Sequence, residues 1–260
     1  IRNSSKGDRM SQITRREFAG SMVNSVLAYG LIDMLWTQNL FADSVKPVID
    51  QWFKELYSIG EDLHGQKMKD TDFQAKMEGL FRRVDLAELA KATDLSGIKQ
   101  RVDIPANGAY SASFDLSKVE GLPEELNFGR QIFCLRKDRA IVPHGHSNMC
   151  TGFIVLEGEF RGRHYDKLET AEDHYIIKPT IDDEFQPGGV STISDHKDNI
   201  HWFRCTSETG FIFNAHFDGY ASDITIPTGR LYLDPEGEKL AGGLIKAPKM
   251  SSTECHAKYG

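Results

Sequence analysis

The chain has little that would let it bind by charge alone or sit in a membrane. Lys and Arg number 31 against 38 Asp and Glu, a formal net charge of −7. No basic stripe is visible, so a general electrostatic route to nucleic acid is excluded. No run of about eighteen uncharged apolar residues occurs, so no membrane-spanning helix is expected. Cysteines are few, 4 in all, and Cys134, Cys150, Cys205 and Cys255 include no C-x-x-C pair. They read as free thiols of a reducing compartment, which makes the cytoplasm the expected location. No internal repeat or low-complexity tract is present. What remains is 260 residues with 40% hydrophobic content, enough for one sizeable domain or two small ones.

The chain opens at Ile1, with Met10 as a candidate start. Thr14-Arg15-Arg16-Glu17-Phe18 resembles a twin-arginine export signal, the alternative to a cytoplasmic location. The run behind it is only moderately apolar, carries Asn24 and Asp33, and leads to no clear cleavage site. The plainer reading is an amphipathic helix with a basic first turn.

Residues 14 to about 95 are expected to be helical. Val23, Val26, Leu27, Leu31, Met34 and Leu35 recur at the spacing of one helix face. Pro47 suits the start of a second helix whose apolar face is Trp52, Phe53, Leu56 and Tyr57. Thr71 to Val84 and Asp85 to Ala92 read as two more. From Ile98 the texture changes to short extended runs broken by turn residues such as Asn107-Gly108 and Pro187-Gly188-Gly189. Strands are expected over Phe128 to Leu135, Arg139 to Val142, Ile200 to Cys205 and Phe211 to Phe217. Many short strands between turns predict an antiparallel sandwich or barrel. The expected organisation is a helical segment 1–97, a barrel 98–220 and an extension 221–260. The extension should wrap the outside or reach a neighbouring subunit, so a homo-oligomer is allowed.

The candidate chemistry lies in Pro143-His144-Gly145-His146-Ser147-Asn148-Met149. On a strand, two histidines one residue apart point to the same side, and two imidazoles on one face suit a divalent metal. Phe153 to Leu156, the turn Glu157-Gly158-Glu159 and Phe160 to Tyr165 read as a hairpin carrying the pair on its first arm. His201, in Asn199-Ile200-His201-Trp202-Phe203, offers a third ligand, with His196 as its replacement. Three neutral imidazoles leave positions free for reactants, as a catalytic rather than a closed structural site requires. His64, His164, His174 and His256 read as solvated. Arg130, Arg136, Arg161, Arg163 and Arg204 are candidate partners for a substrate carboxylate. Cys150, close behind the histidine pair, reads as a core thiol before a redox group.

These residues carry a resemblance. His144-x-His146, the Gly158 turn and the later His201 are similar to the two halves of a cupin motif. Cys150 and Thr151 stand where the usual motif has a glutamate ligand. That departure resembles the thiol dioxygenases, cupins that hold Fe(II) with three histidines alone. The plant cysteine oxidase and cysteamine dioxygenase branch is the most similar, through His144, His146, Met149, Gly158, Tyr165-Asp166 and Asn199-Ile200-His201-x-Phe203. The likeness covers roughly 130 to 220 and breaks at His216-Phe217-Asp218-Gly219-Tyr220, where the branch has a proline-rich stretch ending in tyrosine.

The resemblance implies a mainly β cupin barrel, a double-stranded β-helix, behind an α-helical N-terminal segment. It implies Fe(II) on His144, His146 and His201, with zinc or nickel able to take the same imidazoles. It implies dioxygen and a small thiol as reactants and a sulfinate as product. Tyr165, Asp166, Asn199 and Asp195 are candidates to orient the ligands, and Tyr220 or His216 to hydrogen-bond bound oxygen. Two other readings remain open. One is a three-histidine dioxygenase that cleaves a carbon–carbon bond. The other is a non-catalytic cupin holding a metal and a ligand.

Overall fold

The computed structural model describes residues 48–223 and 225–260. The helix expected between 14 and 47, and with it Arg15 and Arg16, lies outside the described residues.

Four helices open the described chain: α1 (Ile49–His64), α2 (Asp70–Arg82), α3 (Leu86–Ala92) and α4 (Leu95–Arg101). In α1 the buried residues Trp52, Phe53, Leu56, Gly60 and Leu63 recur at three- and four-residue spacing, one face of a helix. Phe73, Met77, Leu80 and Phe81 do the same in α2. Asp85 caps α3 by accepting from the backbone of Ala87 and Glu88. α4 has only Leu95 and Ile98 buried, too weak a stripe for the sequence pattern to separate it from the strands that follow.

Twelve strands follow: β1 (Tyr110–Ala112), β2 (Gly129–Arg136), β3 (Ala140–Ser147), β4 (Met149–Glu157), β5 (Phe160–Thr170), β6 (His174–Phe185), β7 (Val190–Ile193), β8 (Ile200–Cys205), β9 (Thr209–Asp218), β10 (Gly229–Leu233), β11 (Glu238–Lys239) and β12 (Ile245–Met250). Helix α5 (Ser252–Tyr259) closes the chain. All pairings are antiparallel. One sheet runs β1-β2-β9-β4-β7, the other β10-β3-β8-β5-β6-β12-β11. From β2 to β9, the orders 2-9-4-7 and 3-8-5-6 are those of a jelly roll, so the barrel is a double-stranded β-helix.

This topology corrects the hairpin expected around Gly158. β4 pairs with β9 and β7, whereas β5 pairs with β6 and β8. The two runs therefore lie in opposite sheets. Gly158, at φ 81°, turns the chain from one to the other, and a Cβ there would stand 2.4 Å from the Thr209 carbonyl oxygen. Local sequence encodes a tight turn; whether the flanking strands pair depends on partners far away in the chain.

The residues beyond 220 also depart from expectation. β10 pairs with β3, β12 with β6, and β10 with β12, closing the second sheet on itself. Tyr165, Tyr175, Ile177, Ile200, Leu233, Ile245 and Ala247 form a small apolar core within that ring. The tail is thus part of the barrel wall.

Strand alternation sorts the remaining side chains. Cys150, Ile154, Leu156, Phe211, Phe213, Ala215 and Phe217 face outward onto the helical layer and share one core with Trp52, Phe73 and Phe81. Phe153, Val155, Ile212, Phe203, Phe160 and Ile193 point between the sheets. The helices seal one sheet face, and the barrel interior is left for the histidines.

Candidate metal centre

β3 carries His144 and His146, and its register against β8 slips by one residue between Ile141 and His144. Ile141 stands opposite Phe203 and His144 opposite His201, so three residues of β3 span two of β8. The extra residue is a β-bulge holding Pro143, whose missing N–H costs no ladder bond there. The bulge lets Ile141 and both histidines face the interior.

His144, His146 and His201 are 4%, 3% and 0% exposed. Their ring centroids are 5.2 Å apart for His144–His146, 4.1 Å for His144–His201 and 5.0 Å for His146–His201. One ligand atom from each lies within 4.8 Å of the others. No carboxylate belongs to this cluster among the described residues. His144 donates Nδ1–H to the Val142 carbonyl at 2.8 Å, which presents Nε2 with a free lone pair. Both ring nitrogens of His201 and Nδ1 of His146 are buried without a hydrogen-bond partner.

Burial pushes the His144 ring down to about 3 and holds His146 and His201 well below the usual imidazole range; neighbouring rings and Arg230 add to this. The rings are therefore neutral. Buried imidazole nitrogens without partners cost free energy unless something accepts their lone pairs. Three converging neutral imidazoles are a donor set that a divalent transition metal satisfies.

The residue between the two histidines has a structural reason. A Cβ at Gly145 would lie 2.8 Å from Asn199 Oδ1, 2.8 Å from Leu231 Cδ1 and 2.9 Å from Ile200 Cγ1. Asn199 packs here because its Nδ2 donates to the His146 carbonyl at 2.9 Å and the Ser194 carbonyl at 3.2 Å. It ties the His146 strand to the turn that leads into β8. Asp166 acts one step further out, its Oδ1 accepting from the Asp198 backbone N–H at 2.8 Å. Tyr165 turns to the other face of β5, into the small core of the closed ring, where burial pushes its phenol up to about 12.

The outer candidates separate. His216 lies on β9 with its side chain on the inward parity of Ile212 and Asn214; its ring rests against Gly129, and burial lowers its proton affinity. Its Nε2 is 3.7 Å from Asp218 Oδ2, and its Nδ1 is buried without a partner. The Tyr220 hydroxyl instead bonds Asp195 Oδ2 at 3.2 Å and Asp70 Oδ2 at 3.4 Å, packing beside the helical layer. Asp195 accepts from the backbone N–H of Asn148 and Met149, so it orders the turn after the histidine pair rather than an imidazole. His196 bonds Asp70 through Nδ1 with its side chain 76% exposed, and takes no part in the cluster. Cys150 faces the helices, and burial drives its thiol well above the usual range.

His164 corrects the sequence reading. It stands opposite His201 on β5, fully buried, with Nε2 2.9 Å from Ser191 Oγ, and burial lowers its ring to about 4. The signal was available in the inward alternation Phe160, Gly162, His164, once β5 was known to lie beside β8. Four of the five candidate arginines are engaged away from the histidines. Arg136 pairs with Asp103, Arg161 and Arg163 with Asp182, and Arg204 with Asp138. Arg130 lies over the Phe114 ring. The cation beside the cluster is Arg230, which sequence reading passed over because it lies in the tail.

Fold and site together define a cupin-type double-stranded β-helix with a potential three-histidine metal site. No protein-family model matches the chain, and no curated protein matches it. Among solved structures, it is similar to procruciferin, an 11S globulin from Brassica napus, at 13% identity and TM-score 0.32 over 45% of this chain and 27% of that one. A conserved protein with a double-stranded β-helix domain from Klebsiella pneumoniae is similar at 10% identity and TM-score 0.34, over 51% and 85%. Oxalate oxidase in complex with glycolate gives 12% and 0.34, over 49% and 56%. Likeness this slight has no bearing on activity or substrate.

Proposed function

We propose that the chain is a non-heme Fe(II) enzyme that oxidises a small thiol to a sulfinate with dioxygen. The observation that carries this reading is the cluster of three buried, neutral imidazoles with no carboxylate among them. Bound there, iron would supply a redox-active Lewis acid with open positions for reactants. A ligand set without negative charge leaves the ion's charge uncompensated, which favours an anionic sulfur over a neutral donor. The similarity of Tyr165-Asp166 and Asn199-Ile200-His201 to the three-histidine thiol dioxygenases supports the same reading.

The chain's own residues do the rest. His144 is fixed in one tautomer by the Val142 carbonyl, and Asn199 holds the strand that bears His146. Phe153, with its ring centroid 5.2 Å from that of His201, and Phe203, at 6.2 Å, line the interior and exclude water. His216 faces the same interior from the opposite sheet and is the polar group we assign to hydrogen-bond a reactant; Tyr220 is assigned to order the turn at Asn148. In the overall change a thiol and one dioxygen become one sulfinate and one proton. Sulfur is oxidised by four electrons, both oxygen atoms are transferred to it, and the thiol proton is released.

The test is anaerobic Fe(II) loading followed by oxygen uptake with cysteine, cysteamine, 3-mercaptopropionate and an N-terminal cysteine peptide, then mass analysis of the product made under isotopically labelled dioxygen. A sulfinate carrying two labelled atoms is expected. His144→Ala, His146→Ala and His201→Ala should each sharply reduce bound metal. Metal content alone does not discriminate, because zinc and nickel take the same imidazoles. No thiol-dependent uptake by the loaded protein would end this reading in favour of a metal- and ligand-holding cupin or a carbon–carbon-cleaving one.

A further inference from the structure

The corner between β3 and β4 is held by one asparagine in the left-handed region, Asn148 at φ 55°. Its carbonyl accepts from the Gly219 N–H at 2.9 Å and its Oδ1 from the Ala221 N–H at 2.7 Å, so it ties down the start of the tail. Its own N–H donates to Asp195 Oδ2 at 2.7 Å, and the Met149 N–H donates to Asp195 Oδ1 at 3.4 Å. Asp195 faces Asp70, the first residue of α2, across a single phenol. The Tyr220 hydroxyl lies 3.2 Å from Asp195 Oδ2 and 3.4 Å from Asp70 Oδ2. The turn before β8, the helical layer and the tail therefore meet at one oxygen atom.

A phenol has one proton to donate. Burial and its neighbours hold Tyr220 well above the usual range, so it keeps that proton. With both carboxylates ionised, the O–H satisfies one and leaves the other against its lone pairs, beside a like charge. The two acids differ. Burial pushes Asp70 up, but hydrogen bonds from the His196 ring and backbone outweigh it and hold the carboxyl below its usual range. The Thr71 N–H takes its second oxygen. Burial pushes Asp195 above its usual range, and the Asp70 charge adds to this against the pull of the two N–H donors and Tyr220. From β4, Cys150 faces the trio as a neutral thiol, its proton held by burial. From β5, Lys167 interacts with the Asp195 charge, while burial disfavours its own. On the solvent side an open cavity of about 760 Å³ gives the trio access to water, with Lys67, Lys69 and Asp72 on its helical flank and Asp223 on its tail flank.

We propose that Asp195, Tyr220 and Asp70 form a proton-operated latch that fastens the corner after His146 to the helical layer and the tail. In the closed latch Asp195 Oδ2–H donates to the Tyr220 oxygen, and Tyr220 O–H donates to Asp70 Oδ2. Loss of the one carboxyl proton to water loosens it, and no other bond changes. Asp195, raised, favours the closed latch at low pH, and that contribution is lost as pH rises through its folded value. Asp70, lowered, contributes above the unfolded value of 3.8 and loses its contribution as pH falls through its folded value. The latch is tightest between the two folded values, which bracket 3.8, and opens on the alkaline side of Asp195. This inference does not rest on the function proposed above.

The test follows the full chain by NMR with carbon-13-labelled aspartate, as wild type, Asp195→Asn, Asp70→Asn and Tyr220→Phe, with circular dichroism matched. One readout is the titration midpoint of the Asp195 carboxyl carbon, assigned by its loss in Asp195→Asn. The other is the amide-exchange protection of Asn148, Met149 and Ala221, corrected for the intrinsic effect of pH. In the wild type Asp195 should titrate above 3.8, and protection should fall across that titration. Linkage sets the fall at about tenfold for each unit by which the closed latch raises the midpoint. Asp70→Asn should lower the Asp195 midpoint and, with no like charge opposite, leave protection independent of pH. Asp195→Asn should abolish the pH dependence as well. Tyr220→Phe should hold Ala221 at its open-latch protection at every pH. An Asp195 midpoint at or below 3.8, protection unchanged across it, or a midpoint unmoved by Asp70→Asn would overturn the proposal. The first two outcomes are read on the wild type, so they decide the matter even where a variant fails to fold.

Discussion

Replacing Gly145 by alanine adds one methyl group between the two histidines of β3 and removes nothing. That methyl would meet Asn199 Oδ1 at 2.8 Å, Leu231 Cδ1 at 2.8 Å and Ile200 Cγ1 at 2.9 Å. All three contacts are too close to keep, and the first neighbour is not free to move, because Asn199 Nδ2 bonds the His146 and Ser194 carbonyls. Overpacking of this kind costs about 1–3 kcal/mol. Losing one of the Asn199 hydrogen bonds adds about 1 kcal/mol. The reduced freedom of the unfolded chain returns roughly 0.4–1 kcal/mol. The net expectation is a loss of about 1–3 kcal/mol, read as a lower urea midpoint at unchanged slope. The His146 carbonyl is what Asn199 holds, so metal affinity should fall alongside stability. Gly229→Ala is the control. It lies one strand away, opposite Ser147, with nothing within 4 Å of its added methyl, and should be neutral or slightly stabilising. A Gly145→Ala protein that unfolds at the wild-type midpoint and binds metal as tightly would refute the close packing of Asn199 over the histidine strand.

Acid stability should depend on His164. Its ring titrates near 6.5 in the unfolded chain and at about 4 when folded, so the unfolded state binds the extra proton between those values and stability drains away as pH falls from 6.5 through 4. His164→Gln, which can still bond Ser191, should therefore flatten the dependence of unfolding free energy on pH in that window; an unchanged slope would mean that the ring is not buried and neutral. Cys150→Ala should leave oxygen uptake per bound iron unchanged, since the thiol faces the helical layer; loss of turnover at matched metal content would place the thiol in the chemistry. Phe81→Ala, at a fully packed position between α2 and the first sheet, should cost about 3–5 kcal/mol in urea unfolding, and a cost below 1 kcal/mol would show that the helices do not seal that sheet.

Much of the site was legible locally. A His-x-His pair shows two imidazoles on one side of a strand by period alone, and the strand Ile200 to Cys205 was bounded correctly from its bulky residues. The strand over Phe211 to Phe217 and the apolar stripe of α1 were equally visible, because each depends on neighbours two to four residues away. The tertiary structure decided everything that depends on which strand lies beside which. The turn at Gly158 has the residues of a hairpin, yet the strands on either side belong to opposite sheets. His164 looked like one polar residue on a solvated strand until β5 was set against β8, which buries it opposite His201. Gly145 is required only because Asn199 and Leu231, distant in sequence, close over it. Arg230 reaches the histidines only because β10 adds to the free edge of β3. A side chain's face is set by its own strand, and so it can be read from sequence. Its neighbours are set by pairing between segments whose contact depends on loop closure and on burial across the whole barrel, which no local pattern records.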